Sequence, residues 1–260
     1  MKKAHYLAIA ASLLLFLILY FGCETKAPGH AQIEKSRAIR TEAVDVGTLI
    51  RQAHTELPPD QQATLLALEE ELQQAVADSV RIALQKRLSS FWYRNQKPAI
   101  AGHYAQQVAE LEGSEEAWSI AGTTFAICVQ QSTQAELKTF CNQRAIQAFE
   151  YAISLNPDNP AHRLNLALTY TEMPPADNPM KGVLLLRELQ ETYPDNTQVL
   201  NALGRLAIQT GQYARAVERL EQALAVEPDN RNTICLLAQA HQALGNTAEA
   251  TRFSERCKAF

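Results

Sequence analysis

Residues 197–230 read TQVLNALGRLAIQTGQYARAVERLEQALAVEPDN, a stretch of 34 residues. Leu200, Leu203 and Ala207 recur at helical spacing, Gly211 and Tyr213 mark a turn, and Ala216, Leu220 and Ala223 resume the period until Pro228 stops it. Two short amphipathic helices joined by a tight turn account for this pattern. Adding 34 lands on Leu237, Ala238, Gly245, Ala250 and Cys257, so residues 231–260 repeat the unit without a gap. Small and large positions alternate for a packing reason. Ala or Gly on one helix lets its neighbour approach, while Leu, Phe and Tyr fill the space between.

Working outward, the tripeptide Pro-Asp-Asn occurs at 157–159, 194–196 and 228–230, each time after an apolar helical run. Pro cannot continue a helix, and Asp or Asn can cap the backbone N–H groups that open the next one. Pro160 suits a first helical position. Residues 160–196 then offer Leu166, Ala167, Tyr170, Gly182, Leu186 and Pro194, with three extra residues in the turn from Met173 to Asn178. Residues 115–159 offer Trp118, Ala121, Gly122, Phe125, Ala145, Phe149, Ala152 and Pro157, with eleven extra residues expected between the helices. A weaker unit, 82–114, carries Leu88, Ser89, Trp92, Ala101 and Val108; it departs from the pattern at Gln85 and lacks the closing Pro.

These residues resemble the tetratricopeptide repeat (TPR), whose unit reads Trp-x2-Leu-Gly-x2-Tyr, then Ala-x3-Phe, then Pro, in two antiparallel helices. The resemblance covers about 150 to 180 residues and implies an all-α superhelix of stacked hairpins, of a membrane-anchored bacterial envelope type. Before the repeats, segments 31–56 and 60–80 are amphipathic, the second opened by Pro58-Pro59-Asp60 and carrying Leu65, Leu68 and Leu72. The expected organisation is an anchor or lipoprotein-type signal at 1–23, a tether at 24–32 around Pro28-Gly29, and a helical cap at 33–81. Units at 82–114, 115–159, 160–196, 197–230 and 231–260 follow.

Tyr6 to Gly22 is uncharged, preceded by Lys2 and Lys3 and followed by Glu24 and Lys26. Its length lies between a signal-peptide core and a spanning helix. Gly22-Cys23 also resembles the end of a bacterial lipobox, which makes Cys23 a lipidation candidate; Tyr20 and Phe21 depart from the small residues that pattern wants. Read as an uncleaved helix with the Lys pair on the cytoplasmic side, the segment puts everything after residue 23 in the periplasm.

Composition narrows the function. The chain has 260 residues, 47% of them hydrophobic and 20% charged, with a formal net charge of −4, so neither a disordered tail nor a phosphate-backbone binder is expected. The histidines at 5, 30, 54, 103, 162 and 241 form no ligand pair, and no glycine-rich phosphate loop or nucleophile elbow appears. No cofactor, metal or catalytic residue is expected, and Glu69-Glu70-Glu71 reads as a solvated helix face.

Among the five cysteines, Cys128 and Cys141 flank the insertion, where a disulfide competes with a reading as free buried thiols. Cys257 takes a small core position, and Cys235 takes a first-helix position that in TPR proteins faces the groove, where structural packing is the first reading and a partner contact or reactive thiol the alternatives. In the TPR family, peptide or protein segments bind in the concave surface of the first helices. That resemblance assigns Gln198, Asn201, Arg205 and Gln209 in one unit, and Asn232, Cys235, Gln239 and Gln242 in the next, to an amide-rich groove. The basic clamp by which chaperone-binding members hold an acidic C-terminus is missing: its places carry Leu164, Leu168, Ala202, Asn232 and Leu236. The expected function is a non-catalytic protein-interaction scaffold with a protein or peptide partner. The alternatives are a homodimer through an uncapped C-terminal repeat and, least favoured, a thiol-dependent enzyme.

Overall fold

Helix follows helix along the chain. A computed structural model describes residues 44–260; the expected anchor at 1–23 with Cys23, the tether at 24–32 and the part of the cap before residue 44 lie outside the described residues. Among the described residues there are twelve α-helices and no strand. Two open the series, α1 (Val46–Glu56) and α2 (Pro59–Gln74). Five hairpins follow: α3 (Asp78–Arg94) with α4 (Pro98–Glu112), α5 (Glu115–Gln131) with α6 (Ala135–Leu155), α7 (Pro160–Glu172) with α8 (Lys181–Thr192), α9 (Thr197–Gln209) with α10 (Tyr213–Val226), and α11 (Arg231–Leu244) with α12 (Thr247–Lys258). Each helix packs on the next in sequence from α2 to α12, and α9 also touches α11, so Val46–Phe260 is an all-α solenoid held by near neighbours. No helix among the described residues is long and apolar enough to cross a membrane.

In each of the three Pro-Asp-Asn turns the Asn is the capping residue. The side chains of Asn159, Asn196 and Asn230 accept from the backbone N–H groups of Ala161, Val199 and Thr233, opening α7, α9 and α11. Ser114 does the same for α5 through Ala117 N–H. The turns inside the last two hairpins are also copies of one another. Gly211 (φ 73°) and Gly245 (φ 78°) sit in the left-handed region. The N–H groups of Gln212 and Asn246 reach back to the carbonyls of Ala207 and His241 at 2.8 and 3.0 Å.

The same turns lock each hairpin to the one before. Gln222 Nε2 on α10 donates to the Pro194 carbonyl at 3.1 Å, and Arg256 on α12 donates to the Pro228 carbonyl at 2.8 Å. These two contacts are 34 residues apart on both partners. Further upstream, Tyr193 Oη donates to the Asp158 carbonyl at 3.3 Å. Glu115 meets His162 Nε2 at 2.8 Å, tying the start of α5 to the start of α7. Hydrogen bonds from Asn156 and then His162 hold the Glu115 carboxyl below its usual range; those from Asn230 and then Thr197 do the same for Glu227.

Apolar packing is a series of local cores. Leu65, Leu88 and Trp92 belong to the first, Ala109, Trp118 and Ala148 to another, Leu186, Val199 and Leu203 to a third, and Leu220, Ile234 and Phe253 to the last. Gln85, where the repeat pattern lapses, is buried and donates to Gln107 Oε1 at 3.2 Å across α3 and α4. Glycine permits the tightest approaches. A Cβ at Gly204 would lie 2.7 Å from Leu220 Cδ2, whereas one at Gly182 would lie 2.6 Å from the Ala167 backbone carbonyl oxygen.

Three expectations need correction. The extra residues in 115–159 do not form a loop: they lengthen α5 and α6 to 17 and 21 residues, leaving only Ser132 to Gln134 between them. At that tip Cys128 and Cys141 are disulfide-bonded with Cα atoms 6.0 Å apart, so the free-thiol reading fails. Cys235 and Cys257, both expected as free thiols, are likewise bonded, because antiparallel α11 and α12 bring their Cα atoms to 5.0 Å. On α12, Phe253 is buried and Thr251, Arg252, Glu255 and Lys258 stand exposed, while Leu244 and Phe260 of the same hairpin also stand exposed.

Gly182→Ala is expected to lower stability by about 1–3 kcal/mol, because backbone cannot yield to the new methyl. Gly204→Ala should cost less than Gly182→Ala, since the new methyl meets the Leu220 side chain and not backbone, and Ala favours the helix. Urea midpoints of the two variants check the ranking. Replacing Cys235 and Cys257 together by Ser, which opens a link 22 residues apart, should cost about 3 kcal/mol. Hydrogen exchange should then show α12 opening first.

Candidate functional site

The first helix of each hairpin carries its apolar face into the local core and leaves a second stripe uncovered. On α5, α7 and α9 that stripe lines one concavity of about 290 Å³. Its register follows from the caps. Thr123, Leu168 and Arg205 each lie nine residues after their N-cap residues Ser114, Asn159 and Asn196, and Ile127, Glu172 and Gln209 each lie thirteen after. The same two positions of the hairpin, presented three times, therefore build the site.

The lining is amphipathic. Ile127 and Leu168 are half-buried and form an apolar floor, joined by Ala126. The Thr123 and Thr169 hydroxyls donate to their own helices, at Ser119 O and Asn165 O, both at 2.8 Å, which turns their methyls into lining. Gln130, Glu172, Arg205 and Gln209 are exposed and, among the described residues, make no side-chain hydrogen bond or ion pair. One cation, one anion and two amides thus stand over an apolar strip, an arrangement that hydrogen-bonds a peptide main chain while receiving apolar side chains.

Two of the eight expected residues, Arg205 and Gln209, line this concavity. Gln198, Asn232, Gln239 and Gln242 are exposed on α9 and α11 but outside it. Asn201 is only 3% exposed: its Oδ1 accepts from Thr233 Oγ1 at 2.9 Å, a buried bond between α9 and α11. Cys235 is committed to its disulfide. The residues missed, Thr123, Ile127, Gln130, Leu168 and Glu172, belong to the two earlier hairpins, where insertions blur a 34-residue count but the N-cap residues preserve it. Among the missing clamp positions, Leu164, Ala202 and Leu236 are buried, so apolar packing occupies the places where the basic clamp would stand. Among the described residues no group of three His, Cys, Asp or Glu side chains is placed to hold a metal ion.

A family model for the tetratricopeptide repeat matches residues 181–230 and 207–256. Lipopolysaccharide assembly protein B of Escherichia coli K12 is 29% identical over 140 residues, covering 52% of this chain and 36% of that protein. The chain therefore spans little more than a third of that relative's length. Among solved structures, PilW, a widely conserved type IV pilus biogenesis factor, aligns with a TM-score of 0.50 at 17% identity, over 68% of this chain and 76% of PilW. This likeness is one of fold. MamA from Desulfovibrio magneticus RS-1, residues 41 to the end, aligns with a TM-score of 0.45 at 16% identity, over 71% of this chain and 94% of that one.

Asn201→Ala removes the acceptor of a buried hydroxyl and should cost about 1–3 kcal/mol of stability. Thermal unfolding checks this, and the loss should be the same with or without any ligand in the concavity.

Proposed function

We propose that this chain, which is a tetratricopeptide-repeat protein, serves as a non-catalytic scaffold that holds an extended segment of a partner protein across α5, α7 and α9. The observation that carries this reading is the three-fold presentation of two groove positions, with unpartnered Gln130, Glu172, Arg205 and Gln209 over Ile127 and Leu168. Polar groups free of internal partners hydrogen-bond a backbone at little cost in broken contacts, and the apolar floor supplies the burial that holds it.

We place the scaffold in a bacterial cell envelope, tethered by residues 1–23 through either a spanning helix or a lipid on Cys23, with the repeats in the periplasm. Two disulfides support an oxidising compartment. The uncharged run at 6–22 supports the tether, and the names of the similar assembly protein and pilus factor agree with an envelope role.

A photoreactive side chain placed at Gln130 or Gln209 in cells tests both halves. Adducts with one partner should form at these two positions and not at Gln222 on α10. They should fall at least tenfold when Leu168→Glu puts a charge on the floor, and should leave the membrane fraction when residues 1–23 are removed. Equal labelling from Gln222, or adducts indifferent to Leu168→Glu, would rule out the groove as the binding site.

A further inference from the structure

Outside the groove, α8, α9 and α10 enclose a smaller pocket of about 140 Å³. Its floor is apolar, formed by Val183, Leu203, Leu206 and Ala207, and its rim carries three guanidiniums, Arg187, Arg215 and Arg219. Three like charges around one cavity repel one another, and among the described residues none of the three forms an ion pair. Arg215 is spent only on a neutral amide, donating to Gln212 Oε1 at 2.8 Å. Burial first, then the charges of Arg187 and Arg215, hold the Arg219 guanidinium below its ordinary value, with Glu218 opposing.

The helix end beneath the rim adds to the positive potential. The α10 helix opens at Gln212 without a capping side chain and has no acid in its first turn, where Arg215 stands instead. The positive end of the helix dipole therefore lies at Gln212, which lines the same pocket as the three arginines. A surface site selected for stability alone would place an acid there.

The geometry points to a binding site for a phosphate monoester, its oxygens on the guanidiniums of Arg187, Arg215 and Arg219 and its organic part on the apolar floor. A phosphate monoester carries a charge of about −1.5 to −2 and three acceptor oxygens, which matches three forked donors; a carboxylate offers one charge and two oxygens. The cavity holds on the order of four to five waters' share of volume, room for the phosphate and a few attached carbons. Small phosphorylated molecules and lipid headgroups bear the same group.

Calorimetry on the full chain in an uncharged detergent tests the site with inorganic phosphate, phenyl phosphate and succinate. Titration of phenyl phosphate into the full chain reconstituted in phosphatidylcholine vesicles, with and without phosphatidic acid, tests the lipid source. Phenyl phosphate should bind more tightly than inorganic phosphate, and succinate at least tenfold more weakly. Arg187→Gln with Arg219→Gln should lower phenyl phosphate affinity roughly tenfold or more, while the charge-matched pair Arg94→Gln and Arg252→Gln leaves it unchanged. Because the rim is self-repelling, the first pair should also keep or raise the thermal midpoint, which separates a lost site from a lost fold. Phenyl phosphate binding that is lost when phosphatidic acid is present and kept in phosphatidylcholine alone would assign the lipid source; equal binding in both would assign a soluble one. Succinate binding as tightly as phenyl phosphate would overturn the proposal. So would equal losses in both variant pairs, or no binding of any phosphate in either format.

Discussion

The turn between hairpins is the constraint on which the rest of the structure depends. Its Pro ends one helix, its Asn caps the next, and its carbonyl oxygen is taken by a side chain of the following second helix, at Gln222 to Pro194 and Arg256 to Pro228. One short segment thereby fixes where a hairpin stops, where the next begins and how the two are rotated. Without that rotation, Thr233 on α11 would not meet Asn201 on α9, and the first helices would not line up along one side.

A solenoid built this way has no central core to absorb errors, so each interface carries its own specificity. Glu115 and Glu227 show how this is done with polar groups, each carboxylate spanning a boundary between hairpins through amide, imidazole or hydroxyl donors. Glycine shows it with space. The disulfides close two of the hairpins, one at the tip between the long α5 and α6 and one between α11 and α12.

Much of this was legible in the residues themselves. The 34-residue register named Leu200, Leu203, Leu220 and Leu237 as core, and each is buried. Counting from the closing Pro, however, loses the groove upstream, because insertions fall between the N-cap and the Pro; counting from Ser114 or Asn159 keeps it. Asn201 was misread because its position suits a groove, while only three dimensions bring Thr233 over it. The cysteine pair 235 and 257 was misread for a similar reason: positions with different repeat roles become neighbours once the helices run antiparallel. Nothing in the spacing of Arg187, Arg215 and Arg219 announces a shared pocket, since they lie on two helices separated by a third.

The groove is amphipathic and nearly neutral, the arginine pocket is cationic, and both are lined by α9, whose start is set by the capped turn at Asn196. Native-state hydrogen exchange on the full chain with Asn196→Ala is the most direct probe of that dependence. If the capped turn sets the stack, exchange rises not only in the first turn of α9 but also in α8 and α10 on either side of the boundary. An increase confined to the first turn of α9, with α8 and α10 as protected as in the parent, would mean that apolar packing alone holds the hairpins in register.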